Sequence, residues 1–140
     1  MDAITPYLLF NGNAAEALDF YVKALDGKLL MKSTFGEAPV PSTDDMKDKI
    51  MHGSMQAGKL AIMVSDCPPD KAANNGNNIQ LSLNFSDTES LDKTFKALSD
   101  GATIIMELQD TFWGARFGML IDKFGINWMF NHDYKKEEVK

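Results

Sequence analysis

The chain has 140 residues, of which 44% are hydrophobic and 24% charged, and its formal net charge is −6. That length fits one compact domain with enough apolar material for a core. The acidic balance and the dispersed Lys and Arg residues speak against a nucleic-acid surface, which needs a basic face, and no apolar run approaches the ~20 residues of a membrane span.

In chain order, ITPYLLF (4–10) reads as a strand. Asn13 is an N-cap candidate for a helix in which Ala14, Ala17, Leu18, Tyr21 and Leu25 recur at three- and four-residue spacing, with Gly27 as its stop. KLLMKSTF (28–35) is a second strand. Residues 36–49 carry two prolines and clustered charge, the marks of a long loop. IMHGSMQ and LAIMVS flank Ala57-Gly58-Lys59 as a hairpin. Residues 67–77 hold many turn formers and no periodicity, so they read as a linker. NIQLSLNF (78–85) is a strand, and Asp87 or Thr88 then caps a helix with Leu91, Phe95 and Leu98 on one face and Gly101 at its end. ATIIMEL (102–108) and the hairpin of WGARFGMLI and INWMFN complete the pattern, and a charged tail at 135–140 is expected to fray.

LDFYVKAL (18–25) and LDKTFKAL (91–98) share five identities. The order strand, helix, strand, strand, strand also occurs twice, so the chain reads as a duplication. The fold class is α+β: two tandem βαβββ modules in one domain, with module one at 1–66, a linker at 67–77 and module two at 78–134. Cys67 is the single cysteine and can form no internal disulfide. A reducing, cytoplasmic setting follows. The N-terminus MDAITPYLLFNG lacks a basic region and is not read as a signal peptide. GxSxG, Walker A and GxGxxG patterns are absent.

PYLLFNGNAAEALDFYVKAL, the pair LSLNF and LDKTFKALSDG, and DTFWGARFGMLIDKFGINWMF resemble the vicinal oxygen chelate superfamily, which includes glyoxalase I, bleomycin-resistance proteins and extradiol dioxygenases. The most specific stretch, WGxRxGxxxDxFGxxW, looks like the PhnB-like branch, which carries a demethylubiquinone-methyltransferase-like label. The resemblance covers nearly the whole chain. It implies a curved mixed sheet around a cavity and a homodimer. It also implies, in metal-dependent members, one His, Glu or Gln ligand on the first and last strand of each module. Those positions fall on Pro6, Met63, Gln80 and Met129. Proline offers no side-chain donor, and a thioether suits hard or borderline metals poorly. No cofactor is therefore expected, with a divalent metal left open.

Strand alternation then assigns faces. Gln80, Ser82 and Asn84 fall on the cavity side, with Ile79, Leu81, Leu83 and Phe85 beneath the helix. Pro6, Leu8 and Phe10 are placed on the cavity side of the first strand, with Tyr7 and Leu9 behind. Met63 and Met129 face the cavity, the latter with Trp128 and Phe130 behind it. In the strand FWGARFGMLI, Trp113, Ala115, Phe117, Met119 and Ile121 form a core face, and Phe112, Gly114, Arg116, Gly118 and Leu120 form the other. Arg116 either pairs with an acid such as Asp122 or Asp110 or holds an anionic ligand group bidentately. Of the two histidines, His52 is the candidate for touching a ligand. The expected ligand-binding set is Phe10, His52, Met63, Gln80, Ser82, Phe112, Arg116 and Met129.

These readings converge on a metal-free protein that encloses a small organic ligand, with neither nucleic acid nor membrane as partner. The alternative is an enzyme of the same superfamily, of lyase, isomerase or dioxygenase type, with a non-standard site. A dimer whose interface is its purpose is a third class, and the polar row of Gln80, Ser82 and Asn84 argues against it.

Overall fold

The computed structural model describes residues 1–135, so of the expected tail only Lys135 lies within the described residues. Two compact units meet at Asn74/Asn75, inside the stretch read as a linker. The first unit contains β1 (Tyr7–Phe10), α1 (Ala14–Ala24), β2 (Lys28–Thr34), β3 (Ile50–Ala57) and β4 (Leu60–Asp66). The second contains β5 (Leu81–Asn84), α2 (Thr88–Leu98), β6 (Thr103–Asp110), β7 (Ala115–Ile121) and β8 (Asn127–Asp133). Each is a βαβββ module. The strand orders, β1-β4-β3-β2 and β5-β8-β7-β6, are the same order twice. In each sheet the first strand runs parallel to the last, and the remaining pairs are antiparallel.

The helices form where the periodicity places them. In α1 the stripe Ala14, Ala17, Leu18, Tyr21 and Ala24 is buried, and α2 buries Leu91, Phe95 and Leu98. Their N-termini are satisfied differently. The Asn13 side chain makes no capping bond. Instead Asp66, at the end of β4, accepts the N–H groups of Gly12 and Ala14 at 2.9 Å through Oδ1. Its Oδ2 accepts the Ile50 N–H at 2.8 Å. The caps and loops of one module are thereby tied to one buried carboxylate. In α2 the cap is local: Asp87 accepts the Ser90 N–H at 2.7 Å. At the end of α1 it is Asp26, not Gly27, that takes the left-handed conformation, with φ 52°. Gly27 is required for room, since a Cβ there would lie 2.7 Å from the Gln56 carbonyl oxygen.

Each helix crosses its sheet over a glycine. A Cβ on Gly53 of β3 would lie 2.8 Å from Leu18 Cδ2. On Gly118 of β7 it would lie 3.0 Å from Phe95 Cε2 and 2.9 Å from Leu108 Cδ2. The registers make Gly53 and Gly118 equivalent: Gly53 pairs with Val64 of β4, Gly118 with Phe130 of β8, and Val64 and Phe130 pair in turn with Leu8 and Leu83. Leu18 and Leu91, the shared leucines of the repeat, are both fully buried. The residue over the second glycine is nevertheless Phe95, one turn beyond Leu91.

Around these crossings lie Ile50, Met55, Ile62 and Val64 in the first unit and Leu120, Trp128 and Phe130 in the second, all buried. The hairpin between β7 and β8 is organised by buried Asp122. Its Oδ1 accepts Phe124 N–H at 2.8 Å and Ile126 N–H at 3.1 Å, and its Oδ2 accepts the Trp128 indole N–H at 2.8 Å. The long loop at 36–49 is closed at its base by Phe35 N–H to Lys49 O and Gly36 N–H to Lys47 O, both 3.0 Å, and Met46 is buried beneath it.

Candidate functional site

Each sheet covers its helix on one face and leaves the other helix-free. Cross-strand register determines which side chains share that second face. In the first unit Tyr7 pairs with Met63, which pairs with Ser54, which pairs with Met31. In the second, Ser82 pairs with Met129, which pairs with Met119, which pairs with Met106. The two rows are equivalent. His52 and Leu9 extend the first face, and Asn84, Asn131 and Phe117 the second.

On the first face the Tyr7 hydroxyl lies 2.9 Å from His52 Nδ1. The two rings sit 5.6 Å apart at an angle of 45°. Tyr7 is 44% exposed and Leu9 50%. Ser65 donates its hydroxyl to the Met51 carbonyl at 2.8 Å. The second face is amide and thioether in character. Asn131 lies between Asn84, at 3.5 Å, and Asp133, at 3.2 Å. Trp113, 51% exposed, meets Phe117 edge-on with ring centroids 6.0 Å apart, and Phe112 beside it on the hairpin tip is 97% exposed.

The expected site residues divide accordingly. His52 and Met63 share the first face, and Ser82 and Met129 share the second. Gln80 is half-buried and precedes β5, outside the strand proper. Phe112 sits on the hairpin tip.

Three face assignments are corrected. Phe10 is 4% exposed and belongs to the core. Tyr7 and Leu9 take the helix-free face instead, because Tyr7, not Pro6, stands beside Met63. In β7 Ala115 is buried as expected, but from Arg116 onward the faces are exchanged. Phe117 and Met119 pair with Asn131 and Met129 on the helix-free face, and Arg116 lies on the helix side with Gly118 and Leu120. Ile79, expected beneath the helix, is 73% exposed and precedes β5.

Arg116 has partners there. Its Nε lies 2.7 Å from Asp92 Oδ1 of α2, and its Nη1 lies 3.6 Å from Asp110 Oδ1. Asp110 also accepts the Tyr134 hydroxyl at 2.5 Å. The Asp92 hydrogen bond holds the guanidinium pKa above its ordinary value. Donation to Asp110 likewise pushes the Tyr134 phenol up. Asp110 was one of the two acids expected beside Arg116; Asp92 was not foreseen, and Asp122 is engaged with the hairpin and Trp128.

The register also tests the superfamily's metal positions. The side chains beside Met63 and Met129 are Tyr7 and Ser82, and Tyr7 is bonded to His52. In neither unit does a thioether beside a phenol, or a thioether beside a primary alcohol, make a site for a hard or borderline divalent ion. Among the described residues no three or more His, Cys, Asp or Glu side chains converge as a metal site, and no helix is long and apolar enough to cross a membrane.

Comparison with known proteins agrees with this architecture. Protein YjdN of Escherichia coli (strain K12) is 34% identical over 139 residues, covering 91% of this chain and 93% of its own. The crystal structure of protein PA1353 from Pseudomonas aeruginosa matches with a TM-score of 0.86 at 39% identity, over 96% of this chain and 100% of that one. A Bacillus cereus structure described as a putative 3-demethylubiquinone-9 3-methyltransferase, PhnB protein, matches with a TM-score of 0.73 over 94% of this chain and 99% of that one; at 24% identity it speaks for the fold alone. The profile of the Glyoxalase/Bleomycin resistance protein/Dioxygenase superfamily matches residues 3–130, and with the doubled βαβββ module already on the page the chain belongs to that superfamily.

Proposed function

We propose that the protein binds a small organic molecule, without a metal, on the helix-free faces of its sheets. The observation that carries this reading is the side-chain set along the two equivalent rows. Tyr7, Met63 and Ser54 in one, with His52 beside them, and Ser82, Met129 and Met119 in the other, combine apolar contact area with a few neutral hydrogen-bonding groups. Small-molecule sites have that mixture. The methionines add a soft surface that conforms to shape. His52, Met63, Ser82 and Met129 are the contact residues, with Gln80 and Phe112 at the margins. The protein acts as a cytoplasmic homodimer.

Native mass spectrometry of protein purified without chelator, paired with elemental analysis, tests the reading. A dimer free of stoichiometric metal, carrying or accepting a small-molecule adduct, is the expected result. Stoichiometric zinc, nickel, iron or manganese would overturn it.

A further inference from the structure

The inference rests on the ligand-binding reading above and names the chemical class that the first module would take. We propose that Tyr7 and His52 are the polar anchor of a site for an uncharged organic molecule bearing a hydroxyl or carbonyl group on an apolar body. The 2.9 Å contact between the Tyr7 hydroxyl and His52 Nδ1 has two proton arrangements. When Nδ1 accepts, the Tyr7 oxygen keeps lone pairs for a ligand hydroxyl. When Nδ1 carries the proton and donates, the Tyr7 O–H is freed to donate to a ligand carbonyl. The pair therefore serves either group without rebuilding the site.

The surroundings set the rest of the specificity. Met63 lies beside Tyr7 in register, Leu9 is half-exposed on the same face, and Ser54 lies beyond Met63. β2 places Lys28 beside Gln56 at the far end of this face, four residues along β3 from His52, and next to the Tyr7–His52 pair β1, β3 and β4 contribute Leu9, Ser54, Met63 and Ser65, none of them Lys, Arg, Asp or Glu. A charged ligand would lose hydration there without gaining an ion-pair partner.

The duplication supplies an internal control. At the positions equivalent to Tyr7 and His52 the second module carries Ser82 and Phe117. The same fold closes there without a phenol–imidazole pair, so the architecture does not require one. A hydrogen bond between side chains as exposed as these also competes with water and adds little to stability.

Ring ¹H–¹⁵N spectra of His52 provide the test, with His132, bonded through Nδ1 to the Phe85 carbonyl at 2.8 Å, as an in-chain reference. The probes are phenol, acetophenone, toluene and benzoate. Phenol and acetophenone are expected to shift the His52 ring and to bind at least about fivefold more tightly than toluene or benzoate. Tyr7→Phe and, separately, His52→Gln are expected to erase that margin while leaving toluene binding unchanged. If toluene binds as tightly as phenol, or the margin survives both substitutions, the anchor is refuted and the ligand-binding face stands. If no probe shifts any resonance of β1, β3 or β4, both the anchor and ligand binding at this face are refuted.

Discussion

Arg116 Nε lies 2.7 Å from Asp92 Oδ1, so the one guanidinium of the β7 strand is held by the helix and not by the face opposite it. Asp92 is the second residue of the repeated LDxxxKAL segment. The pair is partly exposed, with the Arg116 side chain 24% accessible and that of Asp92 51%. Such pairs contribute about 1 kcal/mol or less. A double-mutant cycle of Arg116→Ala and Asp92→Ala by urea unfolding should give a coupling energy of about 0.5–1 kcal/mol. Ligand affinity in Arg116→Ala should match wild type. A loss of affinity with stability intact would return Arg116 to the anion-binding role.

Asp66 should be far more costly to remove. Its carboxylate is 3% exposed and accepts three backbone N–H groups, from Gly12, Ala14 and Ile50. Each buried donor left without a partner costs roughly 1–3 kcal/mol. Asp66→Ala should therefore lose at least about 3 kcal/mol, and Asp66→Asn somewhat less because one acceptor oxygen remains. Chemical denaturation of both variants checks the ranking. A loss near 1 kcal/mol for Asp66→Ala would mean that water replaces the carboxylate easily.

Gly53 and Gly118 offer a test of the duplication itself. An added Cβ at either would press on a helix-facing side chain at 2.8 or 2.9 Å. Gly118 would also meet the Met106 carbonyl oxygen at 3.2 Å, and backbone yields less readily than a side-chain tip. Overpacking of this kind costs about 1–3 kcal/mol. Gly53→Ala and Gly118→Ala should both destabilise, the second more. If either is neutral in thermal unfolding, the two crossings are not packed alike.

The ease of reading each strand followed its composition. In β5 the sequence LSLN alternates cleanly, so it places Ser82 and Asn84 on the helix-free face, where the structure has them. In β8 the large aromatics Trp128 and Phe130 marked the helix side just as plainly. Both faces of β1, YLLF, are apolar, and alternation without contrast gives no parity. There the expectation put Phe10 on the wrong side and hid Tyr7, the partner of His52. The β7 strand, ARFGMLI, misleads for the same reason, and its one charged residue invited a functional reading. The helix-side parity of Arg116 was available only through Asp92 in the repeat and through Gly118 as the residue that admits the helix. That Tyr7 stands beside Met63 and Ser82 beside Met129 was unreadable for a related cause: parallel register between first and last strands is a tertiary fact that local sequence does not carry.

The pH response of stability should have two separable limbs. The Ser90 N–H holds the Asp87 carboxyl below its ordinary value of 3.8. A lowered carboxyl pKa contributes stability that is present above the unfolded value and is lost as pH falls through the folded one. Tyr134 behaves oppositely: donation to Asp110 raises its phenol above 10.0. Its contribution is complete below the unfolded value and disappears as pH rises through the folded one. Denaturant midpoints between about pH 2 and 5 should therefore fall less steeply in Asp87→Asn, which keeps a capping side chain without the charge. Midpoints above about pH 10 should fall less steeply in Tyr134→Phe. An acid limb unchanged in Asp87→Asn would assign acid sensitivity to other carboxylates. An alkaline limb unchanged in Tyr134→Phe would show that the Asp110 bond does not persist in solution, and with it that Asp110 is left to Arg116 alone.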